Sequence, residues 1–223
     1  MRNFQLEDIK TKTLKDMIYK NLKDVILSNN FPSEEYVTEQ NLADQLDVSR
    51  TPLREAMMDL VNEELIEFKP RKGYKVRKYS NNEIDQIFLL RKVIESEIIE
   101  PLLQNFTPEK SEMLKDITLR QEKCMETEDG YAFMNLDKEF HRQMFLISGY
   151  NIFLKSYDVF HNLTILIGSQ VIQKKGRKKE VIQEHNDIIE GLEKGEKQLV
   201  LHAITHHLER TKDMYTDVQT KNK

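Results

Sequence analysis

The chain has 223 residues, a formal net charge of −4, 32 % charged and 39 % hydrophobic side chains, and one cysteine. That length has room for two domains. Cys124 alone excludes an internal disulfide framework and suits a reducing cytoplasm. No stretch approaches the roughly 20 apolar residues of a membrane span, and Met1 to Lys12 lacks an apolar run, so a cytoplasmic protein without a membrane partner is expected. The acidic total does not exclude a nucleic-acid partner. Residues 1–78 hold 14 basic and 14 acidic side chains, whereas the remainder holds 20 and 24, so the acidity belongs to the second part.

Leu14, Met17, Ile18, Leu22, Val25 and Ile26 recur with helical spacing and predict a first amphipathic helix. Leu42-Ala43-Asp44-Gln45-Leu46 predicts a short second helix, with Ala43 small enough for a close crossing, and Asp47-Val48 a turn. The most informative stretch follows, Val48-Ser49-Arg50-Thr51-Pro52-Leu53-Arg54-Glu55-Ala56. Ser49 is placed to cap a helix, and Pro52 falls in its first turn, where a missing N–H costs little. Leu53, Ala56, Met57, Leu60 and Val61 form the apolar stripe, and Arg50 and Arg54, four apart, project away from it. Arginine matches guanine edges and phosphates, and a helix-turn-helix reads DNA from the first turn of its second helix. Leu65–Phe68 and Tyr74–Arg77 predict two strands around a turn at Gly73, and six basic residues with no acidic one lie between Lys69 and Lys78. A basic hairpin tip beside such a helix suits phosphate or minor-groove contact.

Residues 10–78 resemble the winged helix-turn-helix of the GntR superfamily of bacterial transcription regulators. The pattern is carried by Asn41-Leu42-Ala43, Val48 to Ala56, Leu60, Glu64-Leu65-Ile66 and Pro70 to Val76. The resemblance implies that Arg50 and Arg54 touch a double-stranded DNA operator, with Ser49 and Thr51 on phosphates and Lys72 and Gly73 at the wing. Two departures stand out. Asn29-Asn30-Phe31-Pro32-Ser33-Glu34 replaces the usual Gly-x-x-x-Pro-Gly-type turn, and Gln40 stands where some members carry a basic DNA contact.

From Ser80 onward helical periodicity dominates. Asn81 or Asn82 can cap a helix carrying Ile84, Ile87, Phe88, Arg91, Ile94 and Ile98, which Pro101 kinks or ends. Thr107-Pro108-Glu109 starts the next, Glu128-Asp129-Gly130 breaks it, and Tyr131–Ser148 and Asn151–Ile172 follow. Gln173–Lys179 reads as a basic loop with no reason for order. Glu180–Glu193 and Glu196–Val218 form a last pair, with Gly191 inside the first and Gln219–Lys223 a frayed tail. The expected fold is mainly α, a winged helix-turn-helix followed by an all-α bundle of about six helices.

All six histidines lie beyond residue 140. Asp137 and His141 are four apart on an inward helix face, His185 begins the penultimate helix and His207 lies on the last. One carboxylate and three imidazoles suit zinc above all, or nickel or manganese, with positions left for water or a carboxylate. The bland alternative is a set of satisfied surface or core histidines, and His206 competes with His207. His161 and His202 are not needed. Residues 82–217 resemble the helical FCD ligand-binding domain of the FadR-type subgroup, through Arg91-x-x-x-Glu95, Asp137-x-x-x-His141, Asn151, Glu184-His185-x-x-Ile188, Gly191-Leu192 and His207-Leu208. In metal-binding members these positions supply an Asp and three His, which implies Asp137, His141, His185 and His207 here.

The expectation is a homodimeric DNA-binding transcription regulator, by the resemblance a repressor and not an enzyme. A small organic acid would bind its metal, with Arg91 as an effector contact, and reorient the DNA heads. The alternatives are a regulator sensing the metal itself, a structural metal, or a metal-dependent hydrolase, which the DNA head would leave unexplained.

Overall fold

The structure, a computed structural model, describes residues 13–125 and 129–221. The expected domain start at residue 10, the Glu128 end of the expected break and the last two residues of the tail lie outside them. The chain divides into two compact units. One comprises the described residues up to Ile26 with Asn30–Arg77; the other comprises Leu27–Asn29 and the residues from Lys78 onward.

The first unit holds α1 (Leu14–Leu27), α2 (Glu39–Leu46), α3 (Arg50–Asn62), β1 (Ile66–Lys69) and β2 (Gly73–Val76). Thr38 caps α2 by accepting from the Asn41 amide, and Asp47 ends it in the left-handed region at φ 51°. A positive φ suits Asp better than most residues, because its short polar side chain can bond locally. Leu53, Ala56, Met57 and Leu60 are fully buried, each large side chain worth about 1.5–3 kcal/mol over exposure. Val61, expected in the same stripe, is only half-buried. The strands pair antiparallel with Phe68 opposite Tyr74 and Lys69 opposite Gly73. Arg71 in the turn, as well as Gly73, takes a positive φ, 67° and 110°. Gly73 is required for a second reason: a Cβ there would sit 2.2 Å from the Val37 carbonyl oxygen. That contact exists because Val37 and Tyr74 exchange backbone hydrogen bonds of 2.7 and 2.9 Å, tying the hairpin to the segment that launches α2.

Among its described residues the second unit holds helices and no strand: α4 (Asn81–Glu97), α5 (Ile99–Gln104), α6 (Pro108–Cys124), α7 (Gly130–Ser148), α8 (Asn151–Val171), α9 (Arg177–Lys194) and α10 (Lys197–Lys221). Ser80, not Asn81 or Asn82, caps α4, through a reciprocal box with Glu83. Pro101 does not end the first helix. The break falls at Ile98, and the proline sits in the first turn of α5, where it displaces no helical bond. Asp129 caps α7, and Gly149 and Gly195 end α7 and α9 at φ 76° and 69°. The segment expected as a loop to Lys179 is ordered earlier, since α9 begins at Arg177 and that side chain is buried. Gly191, costly inside a helix, is explained by packing: a Cβ would meet the Val200 amide nitrogen at 3.1 Å. The missing side chain lets α10 cross close to α9.

Candidate metal centre and DNA-facing helix

In the second unit, α7 contributes Asp137 and His141, α9 contributes His185 and α10 contributes His207. One ligand atom from each lies within 4.8 Å of the others, and all four side chains are buried. His141 Nε2 is 3.2 Å from His207 Nε2, and Asp137 Oδ1 is 3.3 Å from His185 Nε2 and 3.8 Å from His207 Nε2. His206, its competitor, is exposed beside His202, one position round α10. His185 does not start its helix but lies two turns into α9, because the helix starts at Arg177.

Behind each imidazole stands an oxygen. His141 Nδ1 lies 2.7 Å from Glu95 Oε2, His207 Nδ1 lies 2.7 Å from Glu184 Oε2, and His185 Nδ1 lies 2.9 Å from Gln121 Oε1. A proton on each Nδ1 faces those oxygens, in hydrogen-bonding geometry for His207 and His185 and in close contact alone for His141, and leaves three Nε2 lone pairs facing a carboxylate. Such a convergence of acceptors fits a cation, and this outer arrangement is how ligating histidines are oriented. His185 Nε2 is accordingly a buried nitrogen with no hydrogen-bond partner among the described residues. Burial pushes His185 down to about 4 despite its contact with Asp137, and lowers His207 too, so both imidazoles are neutral and available as ligands at neutral pH. Asp137 stays ionised: burial opposes its charge, but the contact with His185 and the neighbouring imidazoles outweigh it.

The two glutamates are held in turn by arginines. Arg177 Nη1 and Nη2 donate to Glu184 at 2.6 and 2.9 Å, and Nη2 also to Thr211 at 2.9 Å. Burial works against the Glu184 charge, yet the bonds from His207 and Arg177 bring its carboxyl down to about 2. Arg91 donates from Nε to Glu95 at 2.8 Å, so the expected effector contact is occupied on one side by its helical neighbour. Its Nη2 remains buried without a partner among the described residues. A small cavity of about 10 Å³, room for one water, adjoins Asp137 and His207 and is also lined by Arg91, Met134 and Gly168.

Helical spacing puts Gln121 on one face with Leu114 and Ile117, and Glu184 stands in the motif that carries the FCD resemblance, but neither signal assigns a role behind an imidazole, and nothing singles out Arg177. An intervening run such as 177–184 carries the necessary charges, but nothing in it marks which helix they face. His161, set aside in the sequence, is fully buried, bonds Tyr157 through Nδ1, and brings Nε2 to 3.9 Å from Asp137.

In the first unit Ser49 occupies the cap position of α3 but makes no side-chain capping bond, which leaves its exposed hydroxyl uncommitted to the helix. Thr51 is exposed, and so is Lys72 at the hairpin tip, while Gly73 is half-buried against Val37. Arg50 and Arg54 are exposed and both reach Glu39 at the start of α2.

No described helix is long and apolar enough to cross a membrane. The gntR family of bacterial regulatory proteins matches residues 14–76, and the FCD domain matches residues 86–210. The Nta operon transcriptional regulator of Aminobacter aminovorans is 32 % identical over 130 residues, 58 % of this chain and 61 % of that protein, so this chain spans less than two thirds of it. The HTH-type transcriptional repressor RspR of Escherichia coli K12 is 22 % identical over 215 residues, 95 % of this chain and 93 % of that one. Among solved structures, E. coli McbR/YncC shares the fold with a TM-score of 0.78 at 18 % identity, covering 94 % of this chain and all of its own. The chain belongs to the gntR family of bacterial regulatory proteins, with a winged helix-turn-helix and a helical FCD domain, and is a transcriptional regulator, not an enzyme.

Proposed function

We propose that this regulator acts as a cytoplasmic homodimer that grips a palindromic operator through Arg50 and Arg54. Ser49, Thr51, Lys72 and Gly73 contact the backbone, and an occupant of the site at Asp137, His141, His185 and His207 controls operator affinity. The observation that carries the second half is the set of three Nε2 atoms and a carboxylate, each imidazole backed by an oxygen at 2.7 to 2.9 Å. The donor set suits zinc first, then nickel or manganese. A bound ion would supply a Lewis-acidic seat for a small carboxylate effector. Around it Arg91 offers an unpartnered Nη2, and Glu95 and Glu184 hold His141 and His207 in orientation. Repression is the direction favoured by a relative named as a repressor.

The test pairs metal analysis of purified protein with operator binding. One ion per chain is expected, lost in H141A/H185A. Retention of metal after both changes refutes the ligand set, and operator affinity unmoved by chelation and by a panel of organic acids refutes control through it. R50A or R54A should abolish selective binding with the fold intact.

One observation favours a second reading. The cavity beside the ligands, at about 10 Å³, has no room for an organic acid as it stands. In that reading the metal itself is the signal, and affinity follows metal alone, without any acid.

A further inference from the structure

We infer that Glu39 sets the sequence selectivity of α3 by holding both arginine forks at once. Its carboxylate accepts from Arg50 Nε at 3.1 Å, from Arg54 Nε at 2.9 Å and from Arg54 Nη2 at 2.8 Å. The Arg54 contact is fork to fork, the geometry that fixes a guanidinium plane. Glu39 is itself well anchored. It is the first residue of α2, its predecessor Thr38 caps that helix, and Val37 is bridged to Tyr74 by two backbone bonds. Its side chain is 14 % exposed, against 57 % and 60 % for the arginines. The carboxylate thus belongs to the scaffold, and the two cations belong to the surface.

Two consequences follow for a DNA-facing helix. The contacts keep both Nη groups of Arg50 and Nη1 of Arg54 uncommitted to Glu39, with the Arg54 plane fixed and Arg50 tethered at Nε, where a base edge can be read. The carboxylate also reduces a local charge of two to one and repels phosphates, so an unmatched duplex gains little from sliding under α3. Glu39 is therefore a positioning residue that raises discrimination by penalising the wrong partner, with no base contact of its own. The inference rests on α3 being the helix that enters the groove.

Fluorescence anisotropy with two labelled duplexes tests it: one of scrambled sequence, and the tightest one the wild-type protein recovers from a random library. For E39Q the selected-to-scrambled affinity ratio should fall by about tenfold, mostly by tighter scrambled binding, the size of one well-formed fork contact. The slope of log affinity against log salt should steepen by roughly 0.9, one extra phosphate neutralised. E39D, one methylene too short to span both forks, should keep the wild-type salt slope and still lose the ratio. A ratio and slope for E39Q equal to wild type overturn the inference, as does a loss of ratio that accompanies partial unfolding by circular dichroism. If R50A and R54A leave the ratio untouched, it is the groove-entering role of α3 that fails, a result separable from the Glu39 variants.

Discussion

Removing one charge behind the candidate metal ligands should be felt twice, in stability and in metal affinity. In E184Q the volume is kept and an amide oxygen remains for His207 Nδ1, but the amide cannot accept from both Arg177 Nη1 and Nη2, now at 2.6 and 2.9 Å. Arg177 is 1 % exposed, and its other contacts are Thr211 and the half-solvated Glu180 at 3.2 Å. Breaking a buried pair from one side costs about 3–5 kcal/mol. The carboxyl's fall to about 2 from an ordinary 4.5 points to the same scale, about 3 kcal/mol at 1.36 kcal/mol per unit. Urea unfolding of chelator-treated protein at neutral pH, followed by helical circular dichroism, should show that loss. Zinc affinity, measured by competition with a chromophoric chelator, should fall by about 10–100-fold, the usual effect of losing a ligand's outer partner. The double variant R177M/E184M should recover most of the stability, because no lone charge is left in the interior, while zinc affinity stays low. A loss below about 1 kcal/mol in E184Q, with zinc affinity unchanged, would show that the Arg177–Glu184–His207 chain carries neither load.

Acid should unfold the metal-free protein from an unusually high pH. His185 is held at about 4 when folded, so between its ordinary value and 4 the unfolded chain takes up a proton that the native state refuses. Stability present above about pH 6.5 is then lost as pH falls toward 4, by about 3 kcal/mol from this group, and the lowered carboxyls of Asp137 and Glu184 extend the loss below that. Thermal melts between pH 7.5 and 4.5 check it; a flat profile refutes the neutral buried imidazole. G73A should destabilise the first unit by about 2 kcal/mol or more, since it adds a positive-φ penalty to a 2.2 Å contact with Val37. G191A should destabilise the second unit despite a propensity gain of about 1 kcal/mol, because the new methyl meets Val200. A more stable G191A in urea would mean that α9 and α10 can part at no cost.

Local signals were readable in the chain, and non-local partners were not. The stripe from Leu53 to Leu60 and the strands flanking Pro70–Lys72 follow from residue spacing within one element, and the structure places them accordingly. Asp137 and His141 announce themselves by a four-residue interval, but Gln121 and Glu184 meet the imidazoles from other helices, across sequence gaps that no periodicity encodes. Arg177 was masked by its neighbours. In Lys174-Lys175-Gly176-Arg177-Lys178-Lys179 a single arginine turns inward, and what selects it is Glu184 two turns on and Thr211 on α10. Ser49 and Ser80 show the limit of composition at helix starts. Both occupy a cap position, but only Ser80 has a Glu three residues later to complete the bond pair.

The enclosure of the Asp137 cluster also bears on timing. All four candidate ligands are buried, and the void beside Asp137 and His207 is only about 10 Å³. Whatever enters or leaves there must wait for the helices to open locally, an event of microseconds to seconds or slower that is far rarer than collision. Under the proposed control by an occupant of this cluster, the regulator would average its surroundings: brief surges would pass unregistered, and only a sustained change in supply would rewrite its state.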